Sequence, residues 1–117
     1  MTPEAIRFRI MSQATEDLTG LWELAAAPRA PDLEELIGVL SGLIQERLVT
    51  VYRGTLFTSE ETALAGAAAR KEIRNKSFWD WSAPERGTHL RVFATPKGRD
   101  WYFAQRKPSA DAGMVSR

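Results

Sequence analysis

A strongly amphipathic segment that runs into a short strand constrains the fold more than any other part of this sequence. Between Pro31 and Arg47 the apolar residues recur with the i, i+3, i+4, i+7 spacing of one helical face: Leu33, Leu36, Ile37, Leu40, Leu43 and Ile44. The β-branched segment 48–54 follows at once and predicts a strand that ends at Gly54. The sequence therefore predicts an α+β fold built around this junction.

Two shorter helices are predicted before this segment. Thr2-Pro3-Glu4 places a hydroxyl at the N-cap, a proline at the first helical position and a carboxylate in the first turn. Residues 6–10 also alternate with a period of two, as a strand would, but the start signal favours a helix. The second helix is predicted to begin after Thr15 and to end by Ala27, before two prolines. Its expected buried stripe is Leu18, Leu21, Trp22 and Ala25.

The second half of the chain predicts one more helix and a small sheet. Thr58 and Glu61 form a capping box, which predicts a helix over residues 59–75. Residues 90–94 predict a strand, 95–98 a turn, and 101–104 either the continuation of that strand or its partner. Residues 108–117 lose periodicity, and we expect them to form a flexible tail.

Composition limits the chain to a few classes of protein. Its 117 residues suit one domain, expected over residues 1–107. The absence of cysteine excludes disulfides and thiolate metal sites, and the single histidine lacks partners for a metal site. No apolar run reaches the roughly 20 residues of a transmembrane helix, and none resembles a signal peptide. We expect a cytoplasmic protein with no metal, no cofactor and no membrane partner.

Two stretches resemble winged-helix domains, which belong to the helix-turn-helix class. Residues 40–54 are similar to the third helix and second strand of such domains, where a leucine pair, an acidic-basic end and leucine-valine follow one another. Leu90–Arg99 is similar to the returning strand. The likeness spans about Pro3 to Phe103. It implies a winged-helix-like fold with three N-terminal helices, an inserted fourth helix and a small antiparallel sheet.

The chain departs from this pattern in the length of its wing. A typical wing is a brief hairpin, whereas a long segment with a whole predicted helix separates Gly54 from Leu90. The sequence therefore looks like a subgroup of small, uncharacterised bacterial proteins with an enlarged wing. The resemblance implies a fold and carries no activity.

The exposed side of the third predicted helix is acidic, which opposes DNA reading. In a winged helix that reads DNA, this helix presents its polar side to the major groove. Here that side carries one cation, Arg47, and four carboxylates: Asp32, Glu34, Glu35 and Glu46. Because affinity for duplex DNA depends on neutralising phosphates with lysine and arginine, we expect no DNA reading through this helix.

The basic second half leaves a nucleic-acid alternative open. Residues 1–50 hold four basic and eight acidic side chains, whereas residues 51–117 hold twelve basic and seven acidic. Aromatic residues lie among the cations, as single-strand binders use them, although such aromatics also fill cores. In this alternative the protein is a DNA-binding transcriptional regulator, and its contact candidates are Arg70, Lys71, Arg74, Lys76, Lys97 and Arg99.

The titratable residues give no basis for catalysis. His89 lies beside Thr88 at a predicted strand start, where we expect it to be exposed or hydrogen-bonded. Asp80 could pair with Glu85 or Asp100, but nothing in the sequence brings these carboxylates together. No phosphate-binding glycine loop is present. We expect no catalytic residue and no enzymatic activity.

Three aromatic residues lie within four positions, and they are the partner-binding candidates: Phe78, Trp79 and Trp81. Neighbours in an extended segment alternate sides, so Trp79 is expected to face away from Phe78. Aromatic anchors dominate many interfaces, although the inserted helix and the core could also cover these rings. The predicted function is that of a small non-enzymatic protein acting through protein–protein contacts or homodimerisation.

Overall fold

The computed structural model describes residues 2–26, 29–55 and 61–114, and within them five α-helices and one four-stranded antiparallel sheet. The helices are α1 (Pro3–Glu16), α2 (Leu21–Ala26), α3 (Leu33–Gln45), α4 (Gly66–Glu72) and α5 (Pro96–Met114). The strands are β1 (Thr19–Gly20), β2 (Val49–Thr55), β3 (Glu61–Ala63) and β4 (Thr88–Ala94). Two 3-10 helices lie between α4 and β4: Lys76–Trp79 and Ala83–Arg86. The predicted α+β class is confirmed.

Helices α1 and α3 form where their start signals and apolar faces predict them. The Ala5 amide donates to the Thr2 hydroxyl at 3.1 Å, and the Glu34 amide donates to the Asp32 carboxylate at 3.1 Å. The apolar side of α3 is buried, and its carboxylates Glu34, Glu35 and Glu46 are exposed. The acidic outer side of α3 is therefore confirmed.

The predicted start of the second helix is wrong. Helix α1 continues to Glu16, and α2 occupies only the six residues Leu21–Ala26. Between them Thr19 pairs with Val92, which makes β1 the edge strand beside β4. The Thr19 hydroxyl also donates to the carbonyl oxygens of Gln13 and Asp17. Pairing with a strand seventy residues away thus overrides the local helical pattern.

The sheet has the strand order β1-β4-β2-β3, with its long central pair in the middle. Strands β2 and β4 pair antiparallel from Val49 opposite Ala94 to Thr55 opposite Thr88. Alternate residues face the helices and are buried, among them Val51, Leu90 and Val92. The opposite face carries Tyr52, Phe93, Arg91 and His89, which have polar and aromatic side chains.

The helix predicted over residues 59–75 is wrong in its first part. Residues Glu61–Ala63 form β3 and pair with β2, with Glu61 opposite Gly54 and Ala63 opposite Tyr52. The helix starts only at Gly66, and its N-cap Ala65 offers no side-chain hydrogen bond. The other member of the expected capping box, Thr58, lies outside the described residues.

The turn predicted at 95–98 and the strand predicted at 101–104 are also wrong, because α5 begins at Pro96. Thr95 is the residue before this helix, and its hydroxyl accepts from the Gly98 amide at 3.0 Å while donating to the Arg47 carbonyl at 2.7 Å. Helix α5 reaches Met114 and so includes residues 108–114 of the expected tail. Neither α5 nor any other helix in the described ranges is long and apolar enough to cross a membrane.

Candidate protein interface

Three large apolar side chains are exposed in the described part of the chain: Phe8 at 37%, Phe103 at 47% and Trp81 at 75%. Exposed aromatic rings that cluster are characteristic of interaction surfaces, whereas scattered ones need no explanation. Phe8 on α1 and Phe103 on α5 lie on helices that pack against each other. These two rings therefore form the stronger candidate surface.

A buried tyrosine joins the two exposed rings into one aromatic row. The ring centroid of Tyr102 lies 5.2 Å from that of Phe8 and 5.5 Å from that of Phe103. The Tyr102 hydroxyl donates to the Ser12 hydroxyl at 3.2 Å, which fixes the tyrosine against α1. Both exposed rings thus contact a buried ring that is hydrogen-bonded to α1.

Two arginines border this row of rings. The guanidinium of Arg99 lies 5.8 Å from the Phe103 centroid, and that of Arg106 lies 5.6 Å from the Tyr102 centroid. Such cation–π contacts hold arginine side chains over aromatic faces. We call the set Phe8, Tyr102, Phe103, Arg99 and Arg106 the aromatic–arginine surface.

Arg7 connects α1 to both of its helical neighbours. Its guanidinium makes a bidentate contact with Glu46 after α3, at 2.5 and 2.8 Å, and lies 4.9 Å from the centroid of Trp101 on α5. The hydrogen bonds with Arg7 hold the pKa of Glu46 below its ordinary value and raise the pKa of Arg7. Arg7 thus contacts both the C-terminal end of α3 and helix α5 at the protein surface.

A groove of about 300 Å³ lies between α1 and α3. Its lining comprises Pro3, Glu4, Arg7, Gly38, Val39 and Gly42. A Cβ atom on Gly38 or Gly42 would meet no described atom within 4 Å, so packing inside one chain does not require glycine at either position. We call this feature the glycine groove.

The predicted partner-binding segment is divided between core and surface. Trp79 is 3% exposed, and its indole N–H donates to the Ile73 carbonyl at 2.8 Å. Phe78 is half-buried, whereas Trp81 is exposed. The segment is a 3-10 helix rather than an extended chain, and its tighter turn places Trp79 inside the molecule.

The six nucleic-acid candidates do not form one cluster. Arg70 and Lys71 lie in the last turn of α4, and Arg74 follows them on an exposed turn. Lys76 lies 3.9 Å from Glu34 of α3. Lys97 and Arg99 lie in the first turns of α5, where Arg99 donates to the Thr15 carbonyl.

His89 is neither exposed nor hydrogen-bonded, contrary to the expectation from sequence. It is 1% exposed, and neither ring nitrogen has a hydrogen-bond partner among the described residues. Its Nε2 lies 3.7 Å from the Glu61 carboxylate, which in turn lies 3.4 Å from the Arg91 guanidinium. The Trp22 ring packs edge-on against the imidazole, with the two ring centroids 5.4 Å apart. Burial lowers the pKa of His89, and the Arg91 charge lowers it further while Glu61 raises it.

No signal in the sequence indicates that Phe8 and Phe103 share one surface. Phe8 lies in the alternating segment 6–10, and Phe103 lies in the run that was assigned to a strand. Within the described ranges, no three His, Asp or Glu side chains are grouped to hold a metal ion. No family model, no curated protein and no solved structure matches this chain.

Proposed function

We propose that this chain is a non-enzymatic protein-binding domain that forms a two-fold homodimer through the face where α5, α1 and α3 meet. The observation that carries the proposal is the exposure of Phe8 and Phe103, which both pack against the buried ring of Tyr102. Burying a phenylalanine side chain stabilises a complex by about 1.5–3 kcal/mol. Aromatic and arginine side chains are also the residues enriched at interface cores.

Charge favours a second copy of the chain as the partner. Helix α1 contacts both α3, which exposes Glu34 and Glu35, and α5, which exposes Arg99 and Arg106. A two-fold axis near α1 places the acidic side of one protomer against the basic side of its partner, twice in each dimer. Opposite charges at the rim then support the apolar contact in the centre.

The glycine groove offers a concave surface that can accept an aromatic ring of the partner protomer. Glycine inside a helix costs about 0.5–1 kcal/mol relative to alanine, and neither Gly38 nor Gly42 is required by packing within the chain. In the proposed dimer Phe103 of one protomer enters the groove of its partner. Both glycines then serve the assembly rather than the monomer.

The winged-helix resemblance remains part of the proposal. Two observations support it: the element order α1-β1-α2-α3-β2, and the placement of β4 between β1 and β2 in the sheet. The inserted β3 and α4 then belong to an enlarged wing. The exposed carboxylates of α3 oppose DNA contact through that helix, which favours protein contacts as its role.

Sedimentation velocity over a dilution series tests the dimer. Phe103→Ser should weaken dimerisation by about tenfold or more, because it removes a central aromatic anchor. Gly38→Leu should weaken it as well, because it fills the groove. Trp81→Ser is the matched control, since it removes a more exposed aromatic side chain outside the proposed face. A wild-type chain that stays monomeric, or a dimer lost only in Trp81→Ser, contradicts the proposal.

The alternative function is a DNA-binding regulator that docks through its basic second half. The observation that favours it is the exposure of Lys71 and Arg74 at the end of α4. Titration of labelled duplex at low salt separates the two functions, because phosphate-driven binding appears there and weakens steeply as salt rises. Salt-sensitive binding that Lys71→Gln and Arg74→Gln reduce supports the alternative, and no binding at low salt excludes it.

A further inference from the structure

A second concave site lies on a different part of the molecule. A cleft of about 530 Å³ opens between the end of α3, strand β2 and helix α4. Its apolar lining includes Ile44, Val49, Val51 and Leu64, and its charged lining is Arg47 and Arg70. No carboxylate is among the described residues that line it. As lined by the described residues, the cleft therefore combines an apolar wall with two guanidinium groups.

The small side chains of α4 explain why the cleft is open. Gly66, Ala67 and Ala69 face it, and none has the volume to fill the space beside Ile44. The nearest neighbour of a Cβ on Gly66 would be the Ile44 side chain at 3.9 Å. A helix with these residues leaves room for a molecule of moderate size.

Arg70, which lines this cleft, has a donor without a hydrogen-bond partner among the described residues. This donor is its Nε, which is fully buried. A buried donor without an acceptor destabilises the folded chain, and more so when the group is charged. An anion bound beside Arg70 would supply the missing acceptor.

Arg47 has a side chain where the backbone favours glycine. The amides of Arg47 and Leu48 donate to the carbonyls of Ile44 and Leu43, which is the Schellman pattern that ends a helix. Arg47 itself adopts the left-handed conformation, with φ of 63°. Glycine adopts this conformation without strain, so an arginine at this position lowers stability.

From these observations we infer that the cleft binds a small amphipathic carboxylate, with the carboxylate between Arg47 and Arg70 and the apolar body against Leu64 and Ala67. Guanidinium groups bind carboxylates through paired, charge-assisted hydrogen bonds. The apolar wall selects against anions that lack a hydrocarbon body. Its residues differ from those of the proposed dimer face, so the inference stands apart from the proposed function.

Binding is tested by calorimetry with octanoate and 1-naphthoate as probes and with octan-1-ol and acetate as controls. We expect one of the two probes to bind at least about tenfold more tightly than either control, because only the probes carry both groups. Amide resonances of Gly66, Arg70 and Thr95 should shift on binding in a heteronuclear spectrum. Failure of both probes to bind, or equal binding of octan-1-ol, overturns the inference.

Variants locate the site and separate binding from folding. Arg70→Gln should weaken probe binding about tenfold, whereas Lys71→Gln, which is next to it and outside the cleft, should leave it unchanged. Ala67→Leu should block the cleft, and Ala68→Leu is its control on the same helix. Equal effects of a cleft variant and its control contradict the site.

The variant Arg47→Gly separates an effect on ligand binding from an effect on folding most clearly. It should raise the thermal midpoint by about 2–8 °C, because glycine relieves the left-handed backbone, and it should weaken probe binding at the same time. If Arg47→Gly is more stable than wild type yet binds the probe more weakly, the Arg47 side chain contacts the bound ligand. Unchanged binding in a more stable variant removes Arg47 from the site and overturns the two-arginine arrangement.

Discussion

Trp79 and Trp81 lie two positions apart and have opposite surroundings. Trp79 is buried and donates its indole N–H to Ile73, whereas Trp81 is three-quarters exposed. The 3-10 turn over Lys76–Trp79 determines which ring enters the core. The sequence showed that the three aromatics could not all point inward, but it could not select the buried one, because that choice depends on the position of the Ile73 carbonyl.

Trp79→Phe should lower the free energy of unfolding by about 1–3 kcal/mol, because it removes a buried hydrogen bond and part of a packed ring. Trp81→Phe should change it by less than about 0.5 kcal/mol, since the side chain is exposed. Urea unfolding followed by circular dichroism measures both. Similar losses in the two variants would show that Trp79 is not the core residue.

His89 should make stability depend on pH. Its pKa in the folded chain is lowered by burial and by Arg91, opposed by Glu61, so the unfolded chain binds the proton more readily. The stability that the lowered pKa of His89 provides is complete above the ordinary histidine pKa of about 6.5. It is lost as the pH falls below that value. Since His89 is the only histidine, wild type should lose more stability than His89→Gln between about pH 8 and pH 5. Parallel pH profiles for the two chains would contradict this effect.

At the scale of elements, two helices begin with the same threonine–proline signal, but only the first of them was predicted. Thr2-Pro3 led to the correct prediction of α1, and Thr95-Pro96 begins α5 in the same way. Helix α5 was not predicted, because the aromatic residues of its segment 101–104 face both the core and the exposed surface. The segment therefore lacks a single apolar face. Strands β1 and β3 span only two and three residues, and their pairing with β4 and β2 rather than their own sequence pattern determines them.

Alanine substitutions at the helical glycines Gly98 and Gly38 should change the free energy of unfolding in opposite directions. A Cβ on Gly98 would overlap the Leu48 carbonyl oxygen, whereas one on Gly38 would meet open space. Gly98→Ala should therefore lower the free energy of unfolding by more than about 2 kcal/mol. Gly38→Ala should raise it by about 0.5–1 kcal/mol. Thermal unfolding of both in a Phe103→Ser background avoids effects of dimerisation, and effects of the same sign would contradict the packing.

At the scale of the whole molecule, the sequence revealed a charge difference between the two halves but not its arrangement. Only the fold shows that α1 lies between the acidic side of α3 and the basic side of α5. The aromatic–arginine surface could not be predicted, because Phe8 and Phe103 are distant in sequence and meet through Tyr102. The acidic outer side of α3 could be predicted, because helical periodicity alone determines it.

The most direct test of the central claim is an isotope-filtered NOE experiment on a mixture of labelled and unlabelled chains. It detects only contacts between protomers. The proposed dimer predicts intermolecular NOEs from the Phe103 ring protons to the α protons of Gly38 and Gly42. Intermolecular NOEs that arise at Trp81 instead, or none at all at concentrations where the dimer should form, would contradict the account.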